Sequence, residues 1–217
     1  MRTIVCLGDS LTGPVPGQRY LDKYIKWADL LQVGLDAVFG GGRVTVLNQG
    51  KAGDPSSGVL AVLGDRLFRH KPDVVVVLLG ANNYGHNAPR EAASVLLKAD
   101  LLAIVQRAQA AGIHVLLLQY PKPRAAVMEK VWIHGDYGNA VVAEVASTTG
   151  AALLALAPFF DEAAKTQPLV ELASAVDGIH LNPGGEMVLA RAVLEKLRTL
   201  DWPRPWPGRD LGPVGSA

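Results

Sequence analysis

Val74-Val75-Val76-Val77-Leu78-Leu79, followed at once by Gly80-Ala81-Asn82-Asn83, is the stretch on which the fold turns. Its six apolar residues, four of them β-branched, show no alternation with polar ones, as expected of a strand covered on both faces in a parallel sheet. It is therefore read as the sheet centre. Working outward, four further short apolar runs read as strands: Thr3 to Leu7, Val44 to Leu47, Val115 to Leu118 and Ala152 to Leu156. Between them, helical spacing is found over about Lys23 to Phe39, Gly58 to Arg69, Pro89 to Ala111 and Tyr137 to Thr149, and again over Pro183 to Leu200. Gly40-Gly41-Gly42, Gly112 and Gly150 stand where helices stop, because glycine readily takes the left-handed cap. Strand and helix alternate throughout. The predicted fold is a single α/β domain over residues 1–200, a doubly wound, flavodoxin-like, five-stranded parallel sheet with helices on both faces.

Residues 201–217 form a Pro- and Gly-rich tail that fits neither a helix nor a central strand. Trp202 and Trp206 offer anchors for docking it on the domain or, as the alternative, on a second subunit of a homo-oligomer.

Composition removes several function classes. Lys and Arg number 21 against 20 Asp and Glu, so there is no basic excess to track nucleic acid and no acidic excess for cations. No apolar run approaches the ~18 residues a membrane span needs. The only cysteine, Cys6, lies inside the first apolar run and reads as a buried thiol. Because the N-terminal apolar stretch is broken at Asp9, no secretory leader is expected, and the sequence reads as cytoplasmic. His70, His86, His114 and His134 are too scattered for metal-ligand spacing, and no metal or cofactor is expected.

Sheets of this class bind ligands at the carboxyl ends of their strands. After the first run comes Gly8-Asp9-Ser10-Leu11-Thr12-Gly13; alone, such a serine is more often a cap than a nucleophile. It is not the G-x-S-x-G elbow, since Gly8 and Thr12 flank it. After the second run comes Asn48-Gln49-Gly50-Lys51-Ala52-Gly53-Asp54, whose glycines let the backbone turn sharply and expose an N–H. After the third, Asn82 or Asn83 offers a cap or a side-chain amide donor. Far downstream, Asp177-Gly178-Ile179-His180 places a carboxylate three residues before an imidazole, able to orient one ring nitrogen and leave the other to accept a proton. Each site alone has an ordinary structural explanation. Together, in this order and three of them directly after successive strands, they converge on one sheet edge.

These four blocks, Gly8-Asp9-Ser10-Leu11, Asn48-Gln49-Gly50, Gly80-Ala81-Asn82 and Asp177-Gly178-Ile179-His180, resemble those of the SGNH hydrolases, also called GDSL esterases and lipases. The resemblance covers about residues 3 to 199. It implies Ser10 as nucleophile, His180 as base and Asp177 as its orienter. The implied oxyanion hole comprises the Ser10 N–H, the Gly50 N–H and the Asn82 side-chain amide. One departure stands out: the third block commonly reads Gly-x-Asn-Asp, and Asn83 replaces that acid here.

Two other readings compete. Ser10-Leu11-Thr12-Gly13 also resembles a flavodoxin phosphate loop that would hold FMN, although Val15 stands where a further hydroxyl is expected and His180 and Asp177 would have no role. An inactive binding module on the same fold is the third. Within the hydrolase reading, the expected partner is a small-molecule ester; thioesterase, lysophospholipase and acyltransferase chemistry are the alternatives. The longest stretch available as a lid, Tyr120 to Asp136, is short, which favours short acyl chains, with Met128 and Trp132 as candidates for the acyl wall.

Overall fold

The structure, a computed structural model, describes residues 1–15, 25–84, 89–121, 129–167, 172–173 and 178–200, and within 129–135 the backbone only. The tail from residue 201 lies outside them. Strands β1 (Arg2–Gly8), β2 (Val44–Gly50), β3 (Val74–Leu78), β4 (His114–Gln119) and β5 (Ala152–Ala155) pair in parallel in the order β2-β1-β3-β4-β5. The stretch read as the sheet centre is the middle strand, and every residue of β3 is buried.

The two-residue period of the strands sorts the core into two faces. Ile4, Cys6, Val74, Val76 and Leu78 pack with α1 (Trp27–Phe39) and α7 (Pro183–Thr199) on one side. On the other, Val5, Leu7, Val75 and Val77 pack with α2 (Ser56–Ala61), α3 (Leu63–Arg66), α4 (Arg90–Ala110) and α5 (Glu129–Thr149). The sheet is doubly wound, as expected. Cys6 is fully buried, and that burial pushes its thiol far above the ordinary range, so it serves as a packing residue.

Three boundaries differ from the sequence expectation. The helix expected over Gly58 to Arg69 is broken into α2, α3 and a 3₁₀ turn, Phe68–His70. Val62 and Leu67 leave helical geometry between them, while Val59, Leu63 and Leu67 still bury one apolar face. A short helix, α6 (Ala157–Ala163), follows β5 and was not anticipated; Pro158 near its start presets the helical φ. Helix α5 begins at Glu129 rather than Tyr137, so the second half of the expected insertion is helical. Gly135 and Gly138 hide that periodicity in the sequence, and a Cβ at Gly138 would meet the Tyr84 ring at 3.4 Å. Among the described residues, no helix is long and apolar enough to cross a membrane.

Candidate active site

The strand order reverses between β1 and β3, and a sheet of this kind opens its ligand crevice at that point, outside the carboxyl ends of the strands. Ser10 leaves β1 there and Asn82 leaves β3 beside it. Parallel register sets the loops level, because Gly8 pairs with both Gly50 and Leu78.

The turn that carries Ser10 is built by its neighbour. Asp9 is buried; its Oδ1 accepts the Leu11 N–H at 2.9 Å, and its main-chain oxygen accepts from Thr12 and Gly13 at 3.1 and 2.8 Å. This winds the chain tightly and leaves Ser10 part-exposed at the apex, with Leu11 and Thr12 turned inward. The Ser10 N–H and hydroxyl find no acceptor among the described residues. The Ser10 carbonyl accepts from Lys26 Nζ at 3.2 Å.

The β2 loop assigns its two glycines different tasks. Gly50 lies back to back with the Ser10 turn: a Cβ on it would fall 2.3 Å from the Gly13 nitrogen. Its N–H donates to Asn48 Oδ1 at 3.0 Å, and Asn48 Nδ2 donates to the Thr12 carbonyl at 2.8 Å. Gly50 thus permits close approach of two loops, and its N–H is already engaged. Gly53, three residues on, has φ +80°, a Cβ position facing open space, and an N–H with no acceptor among the described residues. It offers the free donor that the sequence reading sought in Gly50.

Asn82 is held by its own amide, which donates one hydrogen to the Asp54 carbonyl at 3.2 Å; the other is left for a ligand. Asp54 is itself clamped by Arg66 at 2.6 Å. Asn83 proves structural. Its Oδ1 accepts the Ser56 N–H at 3.0 Å, its Nδ2 donates to Ser56 Oγ at 2.7 Å, and Ser56 Oγ donates to Asp100 at 2.6 Å. The serine proton is committed to Asp100, so residue 83 must supply a donor, and an amide does what a carboxylate would not.

His180 follows Gly178, at φ 63°, in a turn that leads into α7. A bridge between Leu181 and Ala173 and the Asn182 N-cap, which accepts the Gly185 N–H at 3.0 Å, fix that entry. His180 is among the groups whose charge pulls the Asp9 carboxyl down, against the larger upward push of burial. Asp177 and Met128 lie outside the described residues, and Trp132 is described only as backbone within α5.

Sequence reasoning missed two buried groups. Lys26, at the N-cap of α1, donates to Glu186 Oε1 at 2.6 Å, while Glu186 Oε2 accepts the Trp27 N–H at 2.8 Å. This ion pair, 8% and 0% exposed, joins the Ser10 turn to the first turn of α7. Tyr120, at the end of β4, donates to Asp9 Oδ2 at 2.6 Å. The strand-end rule that picked out Ser10 and Asn82 also points at Tyr120. Burial is the largest influence on each acid, raising Asp9 against the pull of Tyr120, Leu11, His180 and Lys26, and raising Glu186 against Lys26 and Trp27. The Tyr120 phenol is pushed well above its usual value by burial and by Asp9.

A flavodoxin-type sheet carrying a Gly-Asp-Ser-Leu turn after β1 and an Asn after β3 matches the class of hydrolases that the sequence resembles. The profile of the GDSL-like Lipase/Acylhydrolase family matches residues 6–188, and the chain belongs to that family. Esterase TesA of Pseudomonas aeruginosa is 31% identical over 183 residues, 82% of this chain and 79% of that protein. An arylesterase of Vibrio mimicus is 27% identical over 195 residues, 89% of this chain and 87% of that one. Among solved structures, Axe2, an acetylxylan esterase from Geobacillus stearothermophilus, superposes with a TM-score of 0.75 at 21% identity, covering 94% of this chain and 97% of its own. An α/β hydrolase from the metagenome of Lake Arreo, Spain, gives 0.74 at 23% identity over 89% and 94%. This chain is a carboxylic ester hydrolase. The flavin-binding and inactive-module readings are set aside by that family membership.

Proposed function

We propose that this esterase cleaves short-chain carboxylic esters through an acyl-enzyme on Ser10. A hydroxyl is a weak nucleophile at neutral pH, so Ser10 Oγ attacks the ester carbonyl carbon as His180 takes its proton. Asp177 holds the imidazole tautomer and offsets the imidazolium charge. The carbonyl oxygen becomes an oxyanion and meets the N–H of Ser10, the N–H of Gly53 and the Asn82 amide, with Gly53 in the role first given to Gly50. As the tetrahedral intermediate collapses, the C–O bond to the alcohol breaks and His180 returns its proton to the leaving oxygen. Water then attacks the acyl-serine by the same route, releasing the acid.

The observation that carries this reading is the set of uncommitted donors at the switch point: two backbone N–H groups without acceptors among the described residues and one amide fixed by Asp54. Donors fixed before charge develops cost no reorganisation during the reaction, and each contributes about 2.7–4 kcal/mol when tested by mutation. The aspartate–histidine spacing supports the base assignment. In Axe2, catalytic mutants replace a serine, a histidine and an aspartate three residues ahead of that histidine, the spacing of Asp177 and His180.

Short acyl chains are favoured because little sequence remains to build a tunnel, and a carbon left in water forgoes about 0.8 kcal/mol per CH₂. Two relatives, an arylesterase and an acetylxylan esterase, carry names in keeping with compact esters. The test is a p-nitrophenyl ester series below the micelle concentration, paired with fluorophosphonate labelling and peptide mapping. Expected are a kcat/KM maximum between acetyl and butyryl, a fall by octanoyl, and label on Ser10. An optimum at decanoyl or longer overturns the substrate class, and label elsewhere overturns the nucleophile.

A further inference from the structure

We propose that the Tyr120 hydroxyl is a positioning group for ester hydrolysis, locking the turn that carries Ser10 to the turn that carries Asn82; this rests on the roles just proposed for those two residues. The geometry is a chain of hydrogen bonds between the two turns. The Ala81 N–H, adjacent to Asn82, donates to the Tyr120 oxygen at 3.3 Å. That oxygen donates its single proton to Asp9 Oδ2 at 2.6 Å, and Asp9 Oδ1 receives the Leu11 N–H at 2.9 Å. The bridge therefore runs from the residue before Asn82 to the residue after Ser10. Phenylalanine could fill the space and make neither bond.

Tyr120 is itself held rigidly enough to act as a reference. It is 2% exposed. Its N–H donates to Asn139 Oδ1 at 2.7 Å and its carbonyl accepts from Asn139 Nδ2 at 3.0 Å, while Gln119 Nε2 donates to the Asn139 carbonyl at 2.8 Å. Helix α5 thus fastens the end of β4, and the end of β4 fastens both catalytic turns. The phenol keeps its proton, because burial and the neighbouring carboxylate both hold it far above neutral pH, so the donor to Asp9 persists across the working range. Hydrolysis needs the Ser10 oxygen and the Asn82 donor on one carbonyl group at once, so the distance between the two turns enters the transition state directly. A misplacement on the order of 1 Å can cost about 100-fold.

The experiment compares Tyr120→Phe, Asp9→Ala and the double variant with the wild type on p-nitrophenyl acetate, with Ser10→Ala as control and circular dichroism to confirm folding. Tyr120→Phe should lower kcat about 10- to 100-fold, leave KM within about threefold, and slow fluorophosphonate labelling in parallel. The double variant should be little worse than Asp9→Ala, since the hydroxyl acts through that carboxylate. Wild-type kcat in a folded Tyr120→Phe, or a loss confined to KM, overturns the proposal. If Tyr120→Phe does not fold, Asp9→Ala, which leaves no side-chain polar atom for Tyr120 or Leu11, breaks the same bridge from its other end, and unchanged kcat there overturns the proposal equally. An active Ser10→Ala protein would instead sink the underlying catalytic reading; an inactive Ser10→Ala with a fully active Tyr120→Phe would sink the bridge alone.

Discussion

The two halves of the site are held by different means. The half that bears the proposed nucleophile and oxyanion donors comes from the ends of β1, β2 and β3, neighbours in the sheet whose register levels Gly8, Gly50 and Leu78. Short polar contacts finish the work: Asn48 to Thr12, Asn82 to Asp54, Tyr120 to Asp9. Among the described residues, the half that bears the proposed base follows no strand directly. His180 sits in a turn ahead of α7, and the described residues tie it back to Ser10 through the Lys26–Glu186 pair. One half inherits its geometry from the sheet; the other hangs on the Leu181–Ala173 bridge, the Asn182 N-cap and a buried ion pair that ties α7 to the Ser10 turn. Backbone register is difficult to disturb by one substitution; an ion pair is not.

The largest expected effect ignores this difference, because chemistry needs both halves at once. Ser10→Ala and His180→Ala should each remove nearly all turnover, on the order of 10⁶-fold in kcat for groups that act as a unit, and the double variant should be no worse than either. Asp177→Asn should fold and fall short of that loss, up to about 10⁴-fold, since attack still occurs with a poorly oriented base. Steady-state kinetics on an aryl ester check all four proteins. Multiplicative losses in the double variant would mean that serine and histidine act separately.

That same division explains what could be read from the sequence. The strands are legible because a buried parallel strand writes its environment into consecutive residues, as Val74 to Leu79 does. Ser10 and Asn82 are legible as candidates because each sits in a short local pattern directly after a strand, and His180 because it closes an Asp-x-x-His spacing. Lys26 and Glu186 are separated by 160 residues and Asp9 and Tyr120 by 111, and no local pattern marks either pair. Only the fold makes them neighbours. Gly50 and Gly53 show a subtler limit, since both suit a sharp turn and only the hydrogen bond from the Gly50 N–H to Asn48 separates a packing glycine from a donor. The helix over Gly58 to Arg69 was overdrawn for a related reason: the apolar period survives the breaks at Val62 and Leu67.

If the base half depends on the ion pair, Lys26→Met should damage it selectively. Leaving Glu186 buried without its cation should cost about 3–5 kcal/mol of stability, read from urea unfolding, and kcat should fall because α7 no longer holds its place against the Ser10 turn. Replacing both partners with apolar residues should restore much of the stability without restoring kcat. If stability and kcat recover together, the pair is only a packing element and the two halves do not differ as described. The pH dependence sharpens the point. Burial raises the Glu186 carboxyl above its ordinary 4.5, outweighing Lys26 and Trp27, so the folded chain binds that proton more tightly than the unfolded one. Its contribution to stability is full below about pH 4.5 and is lost as pH rises through the folded value. The unfolding midpoint of wild type relative to Glu186→Gln should therefore fall as pH rises above 4.5. A relative midpoint that rises would mean that the ion pair outweighs desolvation.

The smallest effect belongs to the sheet-held half and concerns the residue that departs from the usual family pattern. Asn83 receives the Ser56 N–H on its oxygen and gives a proton to Ser56 Oγ, whose own proton goes to Asp100. Asn83→Asp keeps the first bond and destroys the second, leaving one hydroxyl proton between two carboxylates. Loss of a donor at this part-buried site should cost about 1–3 kcal/mol. Asn82 is adjacent, yet its amide is held independently by the Asp54 carbonyl, so kcat should fall only a few-fold. Adding Asp100→Asn should recover part of the stability by supplying an amide donor where the second carboxylate stood. If Asn83→Asp alone costs as much kcat as Lys26→Met, the oxyanion turn is no stiffer than the base turn, and sheet register does not protect it.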